Sequence, residues 1–259
     1  MSFPNYPDKY KYKSLFTAKD YNNYLRTVGQ HPDFEIPKGV IFCYSRTLLK
    51  DILESVEHTV VPRFFAGDFY LLNDNGVAIG ISGNFGAGAP VVTSVLEELA
   101  ELGVKNFVSI GQAGALQPNL EIGSYVVCEK AIRDEGVSHH YVKSEKYASA
   151  DPDLTNQLKK SFEKLDVTPA VGTSWTTDAP YRETVDEIKQ YQSEGVLTVE
   201  MEASALFAVA QYLKVRMASA FMISDSLADI KWNPQLRHPD SQKWMRKLYS
   251  AAVGAISEI

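Results

Sequence analysis

Apolar residues in this chain fall into short, nearly unbroken runs: GVIFCY, VAIGIS, NFVSIG, SYVVCEKA, AVGTSWTT, LTVEM and RMASAFMIS. Most lack the strict apolar–polar alternation of a strand with one wet face, so these runs predict strands covered on both sides. Helical periodicity fills several gaps. PVVTSVLEELAELG puts Val92, Leu96, Leu99 and Leu102 on one face and stops at Gly103, a residue suited to a helix C-terminus. DPDLTNQLKKSFEKL opens with Asp and Pro, as helix starts do. ASALFAVAQYL is apolar nearly all round and predicts a buried helix; SQKWMRKLYSAAVGAISEI predicts a terminal amphipathic one. Strands alternating with helices give an α/β fold with a mixed, largely parallel central sheet flanked by helices.

The bulk numbers narrow this picture only a little. At 259 residues with 45% hydrophobic residues, the chain has ample material for a sizeable core. No repeat, low-complexity tract or Pro/Gly/Ser linker divides it, so a single domain over 1–259 is expected, with 1–38 as an N-terminal extension placed to contact a neighbouring subunit. A net charge of −6 argues against nucleic acid or an anionic membrane as the main partner. Cys43 and Cys128 lack metal-like spacing and read as buried thiols. With no apolar signal core and no run long enough to span a bilayer, the expectation is a soluble, cytoplasmic protein.

Ligands of such sheets bind beyond the carboxyl ends of strands, so the residues after each run matter most. Four segments qualify. ISGNFGAGAP places Gly83, Gly86 and Gly88 between a strand and a helix, either as a plain turn or as a loop whose backbone approaches an anion. SIGQAGAL puts Gly111 and Gly114 after a strand, with Gln112 facing the crevice. LTVEMEASAL sets Glu200 and Glu202 around Met201 where strand turns to helix; helix-end charge or a grip on hydroxyl groups would each explain them. MISDSLAD puts Ser224 and Asp225 after a strand, as a helix cap or as a general acid or base. His139 and His140 are adjacent on a loop, with no carboxylate or Cys spacing to support a metal. Arg133, Asp134 and Glu135 read as a polar surface turn.

The order of these segments, from about Gly39 to the C-terminus, resembles the nucleoside phosphorylase-I family of purine nucleoside phosphorylases, uridine phosphorylases and nucleosidases. EELAELGVKNFVSIGQAGALQPNLEIGSYVV looks most like the uridine phosphorylase branch. The resemblance implies cleavage of an N-glycosidic bond, with inorganic phosphate as co-substrate and no cofactor. It implies that Glu202 accepts from the ribose hydroxyls, that Met201 packs on the sugar and that Glu200 lies near the base. Asp225, beside Ser224, matches the acid that protonates a departing purine, a residue uridine phosphorylases generally lack. Arg182 and Tyr181, in TTDAPYRE, fall in the segment that reads the base; an exposed ion-pair partner and a core aromatic are their plainer readings. On the nucleophile side the pattern departs from the family. The usual Gly-Asp-Pro-x-x-Arg segment reads FCYSRTLLKD, with Arg46 nearby, while Ser109 and Gln112 replace the usual arginine and Ser/Thr. Arg63 keeps the spacing to Gly83 of an arginine that serves a neighbour's phosphate site, which implies a homo-oligomer (dimer, trimer or hexamer). Phosphorolysis thus relies on Gly83, Arg63, Arg46, Ser109 and Gln112. Two other readings stand beside it. One is hydrolysis, whose N-terminal glutamate has no clear counterpart beyond the nearby Asp33 and Glu35; the other is a non-catalytic nucleoside binder.

Overall fold

Residues 3–62, 66–74 and 76–259 are described by a computed structural model. The elements run in this order: a 3-10 turn (Lys9–Lys11), α1 (Ala18–Thr27), β1 (Val40–Cys43), α2 (Arg46–Ser55), β2 (Glu57–Val61), β3 (Asp68–Asp74), β4 (Val77–Gly83), α3 (Ala89–Glu101), β5 (Asn106–Ala115), β6 (Tyr125–Asp134), α4 (Ser138–Tyr141), β7 (Tyr147–Ser149), α5 (Pro152–Glu163), β8 (Ala170–Thr177), a second 3-10 turn (Pro180–Arg182), α6 (Val185–Ser193), β9 (Thr198–Glu200), α7 (Ala203–Leu213), β10 (Arg216–Ser226), β11 (Asn233–Pro234) and α8 (Ser241–Ser257). Local chemistry sets several ends. Asp151 caps α5 through Leu154 N–H with Pro152 next. Gly103, at φ +113°, follows α3 in a conformation that favours glycine.

All the apolar runs become strands, and they join one mixed sheet in the order β11-β10-β6-β8-β9-β5-β1-β4-β3-β2. Its parallel pairs are β4–β1, β1–β5, β5–β10, β6–β8 and β8–β9. Because β10 also pairs with β5, the strands β5, β9, β8, β6 and β10 close into a ring. Alternate residues of β1 show why its run is unbroken. Val40 and Phe42 enter the core under α3 and α7, while Ile41 and Cys43 enter the core under α2, α5 and α8. Helix α7 is buried from Ala203 to Ala210, as its all-apolar sequence requires. Both cysteines are buried free thiols.

The centre of the fold is β5. One edge pairs with β10 throughout. The other pairs with β1 over Phe107–Ile110 and with β9 at Gly114 and Ala115. Between those stretches, at residues 111–113, the sheet forks. Strand β5 therefore runs straight through Gly111 and Gly114, where the apolar pattern alone ends the strand at the first glycine. In the same way β10 includes Ser224 and Asp225, so Asp225 is a strand residue and caps no helix. Among the described residues no helix is long and apolar enough to cross a membrane.

Candidate active site

At the end of β9 the chain must start a helix whose N-terminus is buried, so its first N–H groups need partners inside the protein. Glu200 supplies them. Its Oε2 accepts from the N–H groups of Glu202 (2.8 Å) and Ala203 (2.7 Å), and its Oε1 accepts from Thr176 (2.5 Å) and Ser174 (3.2 Å) hydroxyls. Thr176 Oγ1 in turn accepts from Ser204 N–H, and the Ser204 hydroxyl donates to Glu135. Burial pushes the Glu200 carboxyl above the ordinary range, and these four bonds oppose that shift. With both oxygens occupied, Glu200 acts here as the helix-end charge.

Glu202 does something different. Its side chain leaves the start of α7 and accepts from Gly88 N–H at 2.5 Å. Gly88 is the N-cap of α3 and has φ +103°, so the N-terminus of α3 meets a carboxyl carried by the N-cap residue of α7, which makes no side-chain capping bond to its own helix. Glu202 is 9% exposed. Burial, then the neighbouring Glu200 charge, push its carboxyl up to about 8.

Glu202 lines a cleft of about 220 Å3 with Tyr44, Gln112, Met201, Phe221 and Met245, opening where the sheet forks. No lysine or arginine is among its described lining residues. Ser109 sits on β5 with only 2% exposure, and its hydroxyl is 3.1 Å from the Tyr44 hydroxyl. Tyr44 directly follows β1, where the family glycine is expected, and the sequence reading passed over it. Gln112 is exposed and makes no side-chain hydrogen bond to the described residues.

A second cluster lies further along the same strand pair. The register of β10 against β5 shifts between Ile223 and Asp225, an irregularity of the kind that re-aims side chains. Asp225 then pairs with Gly114, where an added Cβ would stand 3.3 Å from the Asp225 carboxylate. Asp225 accepts from the buried Ser224 hydroxyl (2.8 Å) and from the Trp232 indole N–H (2.9 Å). Glu183 faces the same group: burial, then the charge of Asp225, push its carboxyl up to about 7. Neither Glu183 nor Trp232 carries a signal in sequence, because only the fold brings them to Asp225.

The remaining predicted residues are placed apart from the cleft lining. Tyr181 is fully exposed on the Pro180–Arg182 turn, so its core reading fails; Arg182 beside it is exposed and pairs with no described acid. Arg46 is exposed at the start of α2. Gly83 is explained by packing, since a Cβ there would lie 2.8 Å from Leu49 and 3.0 Å from the Cys43 carbonyl. Arg63 lies outside the described residues. The surface-turn reading of Arg133 and Glu135 is corrected: they are 7% and 5% exposed, because their polar groups turn inward to Ser138, Lys143 O and Ser204. The ring nitrogens of His139 meet Ser144 and the Arg133 carbonyl, and His140 meets Lys9.

The family model of the phosphorylase superfamily matches residues 39–258, and the chain belongs to that superfamily. Uridine phosphorylase of Haemophilus influenzae is 34% identical over 145 residues, covering 51% of this chain and 58% of the relative. Guanosine phosphorylase of Halorubrum lacusprofundi is 32% identical over 142 residues, covering 55% and 59%. The chain thus spans less than two thirds of these relatives' length. The crystal structure of uridine phosphorylase from Vibrio fischeri ES114 aligns with a TM-score of 0.73 at 25% identity, covering 86% of this chain and 91% of that one.

Proposed function

We propose that this protein cleaves the N-glycosidic bond of a nucleoside by phosphorolysis, releasing the base and a pentose 1-phosphate. The observation that carries this reading is Glu202: a buried carboxyl at the start of α7, held by the N-terminus of α3 through Gly88 N–H, in a strand-end cleft. As a carboxylate it accepts from both the 2′- and 3′-hydroxyls and stabilises positive charge growing on the sugar as the C–N bond breaks. Met201 packs against the sugar. Phosphate attacks the anomeric carbon as the base leaves, and Asp225, two positions beyond the fork on the neighbouring strand, meets the departing base. The co-substrate is inorganic phosphate and no cofactor is called for. Asp225 suits a purine, while the names of the matched relatives include both uridine and guanosine phosphorylases.

Hydrolysis is the second reading, favoured by the lack of a cation among the described lining residues. Base release from guanosine, inosine, adenosine and uridine, followed with and without phosphate, separates the two. Release that rises with phosphate supports phosphorolysis; equal rates sink it. The reading also includes a homo-oligomer in which the exposed aromatic N-terminal segment (Tyr6, Tyr12, Phe16) is covered, to be checked by mass in solution.

A further inference from the structure

We propose that Tyr44 and Ser109 form a hydroxyl pair that holds the attacking phosphate, with Tyr44 as a positioning residue of the nucleophile subsite; this rests on the phosphorolysis reading. The two side chains come from adjacent strands, since Phe42 of β1 is in register with Ser109 of β5 and Tyr44 follows two residues later. Their oxygens are 3.1 Å apart, and among the described residues no other hydrogen bond engages either hydroxyl. Two hydroxyls bring two protons. One is used between them, so one O–H remains for a third group, on the side of the cleft that Tyr44 lines.

The pair is fixed before any ligand arrives. The Tyr44 ring lies over Gly111, where an added Cβ would come within 3.3 Å of it, and meets Phe85 edge-on at a centroid distance of 5.4 Å. Gly111 is thereby explained as room for this ring. Burial, then the nearby Glu202 charge, hold the phenol well above its ordinary range, so it stays a neutral donor. Gln112, also in the cleft and without a side-chain partner among the described residues, adds an amide donor one strand position beyond Gly111. Neutral donors thus stand where charged ones are usual for phosphate, and an oxyanion accepts from hydroxyl and amide donors alike.

The test uses Tyr44→Phe, which keeps the ring and removes only the oxygen. Inorganic phosphate is titrated into the wild-type and variant proteins by calorimetry, and the KM for phosphate and for nucleoside are measured separately. Tyr44→Phe is expected to weaken phosphate about tenfold, the loss of one hydrogen bond to a charged group, with the nucleoside KM within about twofold. Ser109→Ala should weaken phosphate less, because Tyr44 keeps its own O–H and loses only the neighbour that fixes it, and the double variant should be little worse than Tyr44→Phe alone. Unchanged phosphate affinity in both single variants, equal losses for phosphate and nucleoside, or a wild-type protein that binds no phosphate would each overturn the proposal. Phosphate bound through Tyr44, together with base release indifferent to phosphate, supports the pair and rejects phosphorolysis, so the two ideas fail separately.

Discussion

Around Glu200 one side of the cleft is saturated with hydrogen bonds: four donors hold one carboxyl, and Thr176 and Ser204 tie it to Glu135, just past the end of β6. Tyr44 and Gln112 line the same cleft, and with the buried Ser109 they share one internal hydrogen bond and hold donors in reserve. The first side concentrates two buried carboxyls and spends its bonds on keeping them in place. The second carries no formal charge and leaves its polar groups for a ligand. A cationic sugar and an anionic nucleophile would meet between them, so the contrast separates what is built to stabilise charge from what is built to orient an arriving group.

Glu202→Gln breaks the comparison most severely. It should lower kcat/KM for base release by about 10³-fold, since the neutral amide cannot accept from both hydroxyls or offset sugar charge. The same change should stabilise the fold at high pH. The Glu202 carboxyl is raised to about 8 from an ordinary value of 4.5, so its proton-linked stability is full below 4.5 and is lost as pH rises through 8. Thermal melts should show the variant gaining on wild type from pH 5 to pH 9, by an amount on the order of 2–4 kcal/mol. A variant with normal turnover, or one without this pH trend, would contradict the assignment.

Asp225→Asn comes next, with about a 10²-fold loss in purine cleavage and little change in nucleoside KM; equal loss of binding and turnover would make Asp225 a structural residue. The pH profile of wild-type kcat/KM should rise through an apparent value near 8 as Glu202 ionises in the free enzyme, and Glu202→Gln should abolish that limb. Thr176→Val sharpens the contrast through stability instead. It leaves Ser204 N–H without its acceptor and removes one of the two donors to Glu200 Oε1, and should cost about 1–3 kcal/mol in denaturant melts, while an unaffected midpoint would show that the network contributes nothing. The smallest effect is expected from Arg46→Ala. This exposed side chain should change the phosphate KM by about threefold or less, below the effect of Tyr44→Phe.

Periodicity and composition reach a good part of this molecule. ASALFAVAQYL maps residue for residue onto α7, because burial from Ala203 to Ala210 writes a nearly unbroken apolar string, and AVGTSWTT maps onto β8, which is half-buried at first and buried over Ser174–Thr177. The hairpin of β2 and β3 escapes, since β2 is exposed at four of its five positions and its run EHTVV carries no core pattern. Glycines also mislead: Gly111 and Gly114 look like strand ends but allow the Tyr44 ring and Asp225 to lie close to β5. In the site, the acids of LTVEMEASAL and ISDSLAD stand out by residue type, but which of Glu200 and Glu202 is free depends on hydrogen bonds from Ser174 and Thr176, over twenty residues away. Tyr44, Glu183 and Trp232 are silent until the chain is folded around them.

The fork in β5 has a consequence in time as well as in space. Amides at 107–110 and 114–115 lie between two strands and should exchange with solvent only when the whole fold opens. Residues 111–113 have a neighbour on one edge only, and successive N–H groups of a strand point to alternate edges, so an amide of this stretch that faces the fork should exchange fast while those facing β10 stay slow. A ligand seated in the fork would cover that outward-facing amide, which makes its exchange rate a built-in clock for occupancy of the cleft.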